Sequence, residues 1–265
     1  MKPQRDPSSP TEGYRGKRKK PIARASPENL LTHLMAAAKR DPKAAALLAS
    51  SPRPKISISY GELLDHVEKI ACGLRRLGIK KGDRIALLSE NRPEWTMADF
   101  AIMALGAITV PVYTSLSPQQ LGYQLKHSRS RMVFLSEGGH LKSLEAIRDK
   151  LPNLKGLVFL DERLPQGYGP PDLSLSDLMD LGEKDRRPLE ILVSRIAARD
   201  PATIVYTSGT SSQWPEGVLL THQNFLAEKK ALGGMLLLGQ GDVLLSFLPL
   251  SHIHPPHRRS ARRPR

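Results

Sequence analysis

Apolar and polar residues alternate along the middle of the chain with a spacing that predicts helices. After Ser59-Tyr60-Gly61-Glu62, which has the form of a capping box, apolar side chains recur on one helical face, and Gly78 ends the helix. Related patterns follow further along the chain. The predicted helices run from Ser59 to Leu77, from Pro93 to about Leu105, from Ser117 to about His127 and from His140 to Lys150.

Short apolar runs between these helices predict buried strands. They are Arg84–Leu88, Ile108–Val112, Arg131–Ser136, Leu157–Leu160 and Ala202–Thr207. Residues 161–188 are rich in Pro, Gly and Asp and predict a long connection with one short helix. Strands that alternate with helices form βαβ crossovers, so we predict an α/β fold with largely parallel sheets. In such sheets ligands bind at the carboxyl ends of the strands.

The size and composition of the chain indicate a globular protein. It has 265 residues, of which 40% are hydrophobic and 25% charged, so it can bury a core without a disulfide or metal. The most apolar stretch, Phe100 to Val112, is shorter than the ~20 residues that a membrane span needs. It predicts a buried helix that leads into a buried strand.

A few side chains invite a chemical interpretation that the pattern does not support. Cys72 is the single cysteine and lies on the apolar face of its helix, so we expect a packed core residue rather than a reactive thiol. We expect Trp95 to pack in the core as well. The histidines fit no strong metal-ligand spacing, and we expect no metal site. Those expected to be solvated are His33, His66, His127 and His140.

The charge of the chain is concentrated at its two ends. The 40 Lys and Arg residues outnumber the 26 acids and give a net charge of +14. Residues 1–25 hold eight of these bases and two acids, and residues 254–265 hold five Arg and no acid. The part between them is close to neutral. We therefore predict a basic, disordered leader over 1–25 and a basic tail over 254–265, and no specific nucleic-acid partner.

The segment that carries chemistry follows the strand that ends at Thr207. It reads Thr207-Ser208-Gly209-Thr210-Ser211 and continues to Glu216-Gly217, where an apolar run resumes. Backbone N–H groups and small hydroxyls in a loop at the end of a strand can donate to phosphate oxygens. The spacing is not that of a Walker A loop. On composition alone, a solvated turn stays open as the alternative.

This segment closely resembles the phosphate-loop signature of the AMP-forming acyl-CoA synthetases, in the adenylate-forming superfamily. The matching positions are Tyr206 to Thr210, Pro215, Gly217-Val218 and Thr221 to Asn224. Three other stretches resemble motifs of the same family, and the one that begins at Gly106 resembles its long-chain fatty-acid members in particular. They are Leu87 to Trp95, Gly106 to Leu121 and Phe247 to Ile253. The resemblance covers about 28–253, in the family's order.

The resemblance implies an ATP-dependent fatty acid–CoA ligase. A fatty acid and Mg-ATP would form an acyl-adenylate, and coenzyme A would then take the acyl group. The resemblance places the β- and γ-phosphates of ATP in the loop formed by Thr207, Ser208, Gly209, Thr210, Ser211, Glu216 and Gly217. It makes His252 a residue of the acyl pocket. We assign no resident metal and no catalytic residue.

The sequence departs from the family pattern in two ways within the loop. Ser211 to Trp214 are four residues where the family has three, and the family's second glycine is missing. Glu216 stands where the family has lysine, which places a negative charge beside the phosphates. At ~4 Å a unit-charge pair is worth roughly 1 kcal/mol in water and about 4 kcal/mol at an effective dielectric of 20. We therefore expect weakened ATP binding.

The tail after Ile253 leaves the family pattern within one or two residues. We interpret the chain as a truncated or frame-shifted product, in which 26–253 is the N-terminal part of an AMP-binding domain. We expect a cytoplasmic protein, inactive alone, with peripheral membrane contact and oligomeric state left open. The alternatives are a catalytically dead remnant that binds an acyl ligand or a protein partner, and a basic protein that adsorbs to nucleic acid or anionic membranes.

Overall fold

The computed structural model describes most of the chain between residues 28 and 251. The described residues are 28–49, 55–136, 139–161, 163–207, 214–235, 239 and 241–251. The predicted leader and tail lie outside these residues. So do His252 and the loop positions Ser208, Gly209, Thr210 and Ser211.

Helices form where the sequence predicts them, and also at three other places within the described residues. The helices are α1 (Leu30–Arg40), α2 (Tyr60–Arg76), α3 (Pro93–Ala104), α4 (Pro118–Ser128), α5 (Gly139–Glu145), α6 (Leu175–Glu183), α7 (Leu189–Val193) and α8 (His222–Met235). The predicted helix from His140 to Lys150 is shorter than expected, because α5 ends early and a 3₁₀ turn, Arg148–Lys150, follows it. The predicted short helix within 161–188 is α6.

The strands are β1 (Ala45–Ala49), β2 (Ile56–Ser59), β3 (Arg84–Leu88), β4 (Ile108–Val112), β5 (Met132–Leu135), β6 (Gly156–Phe159), β7 (Leu173–Ser174), β8 (Pro201–Thr207) and β9 (Glu216–Thr221). β1 and β2 form a separate antiparallel pair. The other seven form one sheet in the order β7-β6-β5-β3-β4-β8-β9. All neighbours in it are parallel except β8 and β9. The predicted α/β fold with a largely parallel sheet is confirmed.

Helices cover both faces of this sheet and divide the core in two. One core lies between the sheet and α1, α2, α3, α6 and α7, and it contains the buried Trp95. The other lies between the sheet and the helices α4 and α5. The run from Phe100 to Val112 is the end of α3 and the whole of β4, as predicted, and every residue of β4 is buried.

The closest packing in the first core is between α2 and α6, where two glycines let the helix backbones meet. A Cβ atom on Gly182 would lie 1.9 Å from the carbonyl oxygen of Lys69 and 2.8 Å from the amide nitrogen of Gly73. A Cβ on Gly73 would lie 2.2 Å from the carbonyl oxygen of Leu178. No side chain fits in this contact, so the glycines set the distance between the two helices.

The predictions for single side chains are partly confirmed. Cys72 is fully buried, and burial raises the pKa of its thiol, as expected of an inert core cysteine. The prediction that His140 is solvated is wrong. It is buried because it lies at the start of α5, where its Nε2 lies 2.7 Å from the carbonyl oxygen of Ser136. His127 is exposed. Within the described residues, no helix is long and apolar enough to cross a membrane.

Candidate functional site

The candidate loop is carried by an antiparallel pair of strands at the carboxyl edge of the sheet. β8 runs parallel to β4 in the sheet and ends at Thr207, and β9 begins at Glu216. In the register of the pair, Thr207 faces Glu216 and Tyr206 faces Gly217. Three of the predicted loop positions therefore lie at one end of one hairpin. This is the edge at which ligands bind in parallel sheets.

Close packing inside the hairpin explains the glycine at 217. A Cβ there would lie 3.1 Å from Cγ2 of Ile204 and 3.4 Å from the ring of Tyr206. Thr207 and Glu216 are exposed, so the Thr207 hydroxyl and the Glu216 carboxylate both face solvent at the mouth of the loop. A phosphate placed there would meet one hydroxyl donor and one repulsive carboxylate.

Four rings from α4 and the hairpin form an aromatic cluster beside the loop. The ring of Tyr123 stacks on Trp214, with centroids 4.8 Å apart, and on His127, with centroids 5.5 Å apart. The hydroxyl of Tyr206 lies 2.8 Å from Nδ1 of His127, and burial raises the pKa of Tyr206 to about 12. We call Tyr123, His127, Tyr206 and Trp214 the ring cluster. It joins both arms of the hairpin to one helix.

The ring cluster was not predicted, although the sequence contains a signal for half of it. Tyr123 and His127 are four residues apart on α4, a spacing that places them on the same helical face. In the sequence, Trp214 stands out only as the last of the four residues that lengthen the loop. Its ring is 41% exposed and lies on Tyr123, so the added bulk packs against α4.

The strand β9, which leads out of the loop, ends in a turn that several hydrogen bonds hold in place. The N–H of Thr221 donates to the side chain of Asn224 at 2.9 Å, and the N–H of Asn224 donates to the Thr221 hydroxyl at 3.3 Å. His222 between them is fully buried, and its Nδ1 accepts the N–H of Leu30 at 3.5 Å. Burial lowers the pKa of His222 to about 4. The Thr221-to-Asn224 motif thus attaches the hairpin to the start of α1.

Charged and polar side chains connect the loops that follow β3, β5 and β6 at the same edge. The Ser136 hydroxyl donates to the carboxylate of Glu90 at 2.6 Å. The Arg92 guanidinium donates to Asp161 and to Glu94, each at 2.8 Å. Burial acts to raise the pKa of Glu90, but the hydrogen bonds from the Ser136 hydroxyl and its own backbone, together with the nearby Arg92 charge, outweigh burial and lower that pKa. The sequence motif around Glu90 was recognised without a role for these residues.

Within the described residues, no group of three or more His, Cys, Asp or Glu could hold a metal ion. His252 and the four loop positions Ser208 to Ser211 are not part of the description, so their predicted roles stay predictions. What the described residues bring together are Thr207, Glu216 and Gly217, with the ring cluster beside them. This frame can present a hydroxyl-rich loop to an anionic ligand.

The family profile described as "AMP-binding enzyme" matches residues 34–255. The long-chain-fatty-acid–CoA ligase FadD15 of Mycobacterium tuberculosis is 33% identical over 199 residues, which are 74% of this chain and 32% of that protein. The peroxisomal long chain acyl-CoA synthetase 7 of Arabidopsis thaliana is 32% identical over 203 residues, 74% of this chain and 28% of that protein. The chain thus spans about a third of the length of these curated relatives.

Solved structures share the fold. The crystal structure of a long-chain-fatty-acid-CoA ligase (FadD1) from Archaeoglobus fulgidus superposes with a TM-score of 0.72 at 23% identity. The superposition covers 90% of this chain and 45% of the Archaeoglobus fulgidus chain. The N-terminal domain of FACL13 from Mycobacterium tuberculosis superposes with a TM-score of 0.66 at 25% identity, covering 84% of this chain and 52% of that one.

Proposed function

The chain belongs to the AMP-binding enzyme family, and from this premise we propose that it takes part in the activation of long-chain fatty acids. Its sequence relatives named as long-chain fatty acid–CoA ligases or acyl-CoA synthetases support that substrate class. The co-substrates proposed are Mg-ATP and coenzyme A.

The proposed reaction has two steps. A carboxylate oxygen of the fatty acid attacks the α-phosphorus of ATP, and pyrophosphate leaves as the acyl-adenylate forms. The coenzyme A sulfur then attacks the acyl carbon, AMP leaves and the thiol proton is released. Negative charge increases on the leaving pyrophosphate in the first step, so donors placed around it favour that step.

The observation that carries the proposal is the geometry of the hairpin. β8 and β9 hold Thr207 and Glu216 opposite each other at the carboxyl edge of a parallel sheet. The connecting residues Ser208 to Ser211 supply hydroxyls and backbone N–H groups without bulk. We propose that Thr207, Ser208, Gly209, Thr210, Ser211 and Gly217 surround the β- and γ-phosphates, and that His252 lines the acyl pocket.

We further propose that Glu216 weakens the binding of ATP in this chain. It is exposed at the mouth of the loop, directly across from Thr207. A carboxylate within several ångströms of a triphosphate repels it. The longer loop, which lacks a second glycine, acts in the same direction. The proposal is therefore an adenylating site of low affinity for ATP.

Exchange of labelled pyrophosphate into ATP tests the first step, with palmitate as the acid and a thermal melt of the same sample. We expect cooperative melting, exchange in the wild type too slow to detect, as for a chain that is inactive alone, and palmitate-dependent exchange that becomes measurable in Glu216→Lys. A folded chain with no palmitate-dependent exchange, in the wild type and in Glu216→Lys, contradicts the proposed adenylation.

A further inference from the structure

A single side chain joins two distant motifs at the carboxyl edge of the sheet. Asn91 lies in the loop after β3, and its side-chain amide pairs with the backbone of the segment that contains Phe247 to Ser251. Its Nδ2 donates to the carbonyl oxygen of Leu248 at 2.7 Å, and its Oδ1 accepts the N–H of Leu250 at 2.8 Å. The amide thus imitates one rung of a β-ladder.

This pairing requires both a donor and an acceptor on one short side chain. Asparagine provides an NH₂ group and a carbonyl oxygen on the same planar group. An aspartate in its place would keep the acceptor for Leu250 and lose the donor for Leu248. An alanine would lose both. The identity of residue 91 therefore matters for these contacts even though the side chain is exposed.

The backbone around Asn91 is held on both sides by contacts that do not involve the paired segment. Glu90 accepts the hydroxyl of Ser136, and Arg92 donates to Asp161 and to the carbonyl oxygen of Leu160. These partners follow β5 and β6. The position of Asn91 is therefore fixed by contacts of its two neighbours and does not depend on the segment that Asn91 binds.

The bound segment has few other means of holding its place. Residues 242–249 contain no helix or strand, and several of their apolar side chains are exposed. The exposed ones are Val243, Leu244, Leu245 and Phe247. Leu250 packs against the first core and Ser251 is buried, so the segment turns inward directly after the two bonds to Asn91.

We propose that Asn91 is a positioning residue that holds Phe247–Ser251, the segment that precedes the proposed acyl-pocket residue His252 in the sequence, at the carboxyl edge of the sheet. The role in fatty-acid binding rests on the proposed function, whereas the positioning itself does not. Loss of the two Asn91 hydrogen bonds would free the segment and weaken the binding of the acyl chain. It would leave β8, β9 and the binding of the ATP phosphates proposed between them unchanged.

The test compares the full-length chain with Asn91→Ala and Asn91→Asp, and with Asn153→Ala as the matched control. Asn153 is exposed in the turn before β6. Hydrogen exchange at the Leu250 amide reports the positioning. Displacement of a fluorescent fatty acid by palmitate, and titration with Mg-ATP, report the two ligands. Asn91→Asp has nearly the size of the wild-type residue and guards against misfolding of the alanine variant.

Loss of the two hydrogen bonds should accelerate exchange at Leu250 by about tenfold or more and weaken palmitate binding by a similar factor. Exchange in β3 and β5, and the affinity for Mg-ATP, should stay as in the wild type. Unchanged exchange at Leu250 in both Asn91 variants overturns the inference. Faster exchange with unchanged palmitate affinity overturns its functional part. If the wild-type chain binds neither palmitate nor Mg-ATP, the proposed function fails, and the Leu250 exchange alone decides the positioning.

Discussion

The two arms of the candidate loop, the incoming strand β8 and the outgoing strand β9, are held in place by different contacts. β8 lies inside the sheet with most of its residues buried, and the Thr203 hydroxyl donates to the carbonyl oxygen of Thr109 on β4 at 2.9 Å. β9 is at the edge of the sheet, and its Val218 and Leu219 are 43% and 51% exposed. Trp214 and His222, at its two ends, attach it to α4 and α1.

This difference indicates that packing positions the incoming arm and a few specific contacts position the outgoing arm. Substitutions in the core should therefore lower the free energy of unfolding of the whole chain. Changes at Trp214 or Glu216 should alter the binding of a ligand and leave the free energy of unfolding nearly unchanged. The predictions that follow separate these two kinds of effect.

The largest effect is expected at the contact of α2 with α6. In Gly182→Ala the new methyl group would overlap the carbonyl oxygen of Lys69, so the helices must separate. We expect a loss of about 3 kcal/mol or more in the free energy of unfolding, measured with urea. Gly233→Ala is the matched control, because a Cβ at that position in α8 meets nothing within 4 Å. It should stabilise the chain by up to about 1 kcal/mol. Equal effects of the two variants would contradict this packing.

The turn around His222, which attaches the outgoing arm to α1, should make the stability of the chain depend on pH. Burial lowers the pKa of His222 to about 4 from 6.5; the charge of Asp200 opposes this by a smaller amount, and the charge of Lys81 adds slightly to it. Between pH 6.5 and 4 the unfolded chain binds a proton that the folded chain does not. Stability from this group is full above pH 6.5 and falls by about 3 kcal/mol as the pH reaches 4. His222→Asn should lose this dependence in urea titrations at several pH values, and a pH profile identical to the wild type would refute it.

A partly buried carboxyl beside β4 should act in the opposite direction over the same range. Burial raises the pKa of Asp99 to about 6 from 3.8, against the lowering effect of the Thr109 hydroxyl, which donates to it at 2.6 Å. The folded chain therefore keeps a proton that the unfolded chain loses, and stability falls as the pH rises from 3.8 to 6. Asp99→Asn should be more stable than the wild type at pH 7 by up to about 3 kcal/mol and equal to it below pH 4.

The opposite trends of Asp99 and His222 partly cancel in the wild type, so only the single variants show either one. The contrary result for Asp99→Asn would be a gain in stability that is the same at pH 4 and pH 7. Such a gain would mean that the carboxyl is not kept protonated by the fold.

A smaller effect is expected in the ring cluster. Trp214→Ala removes the ring stacked on Tyr123 and should cost about 1 kcal/mol or less of stability, because the ring is 41% exposed. It should weaken Mg-ATP binding several-fold through loss of the outgoing arm's position, and Trp214→Phe should restore most of the affinity. Calorimetry with Mg-ATP measures both. A loss of stability as large as that of Gly182→Ala would show that Trp214 belongs to the core.

The sequence predicts the inner strands well and the edge of the sheet poorly. β3 and β4 have the predicted bounds because both are continuous apolar runs between polar turns, as buried parallel strands are. β9 was not predicted as a strand, since its apolar residues face solvent at the edge. β1, with the sequence Ala-Ala-Leu-Leu-Ala, has no strand signal, and its pairing with β2 determines its conformation.

For the candidate site, too, the sequence predicts one part and misses another. The motif ending in Gly217 places Thr207 and Glu216 at one edge, which the structure brings together. The contact of Asn91 with Leu250 joins residues 159 positions apart, and the contact of His222 with Leu30 joins residues 192 apart. No local pattern encodes such pairs, because they depend on which loops the sheet order brings to the same edge.

The binding of Mg-ATP to Glu216→Lys, measured by titration calorimetry, tests most directly whether the hairpin holds the phosphates of a nucleotide. Glu190→Lys makes the same change of charge at an exposed position on α7 and is the matched control. Reversal of the charge beside the phosphates should raise the association constant by about tenfold or more, and the control should match the wild type. An affinity of Glu216→Lys equal to the wild type, or an equal rise in both variants, would contradict the placement of ATP in this loop.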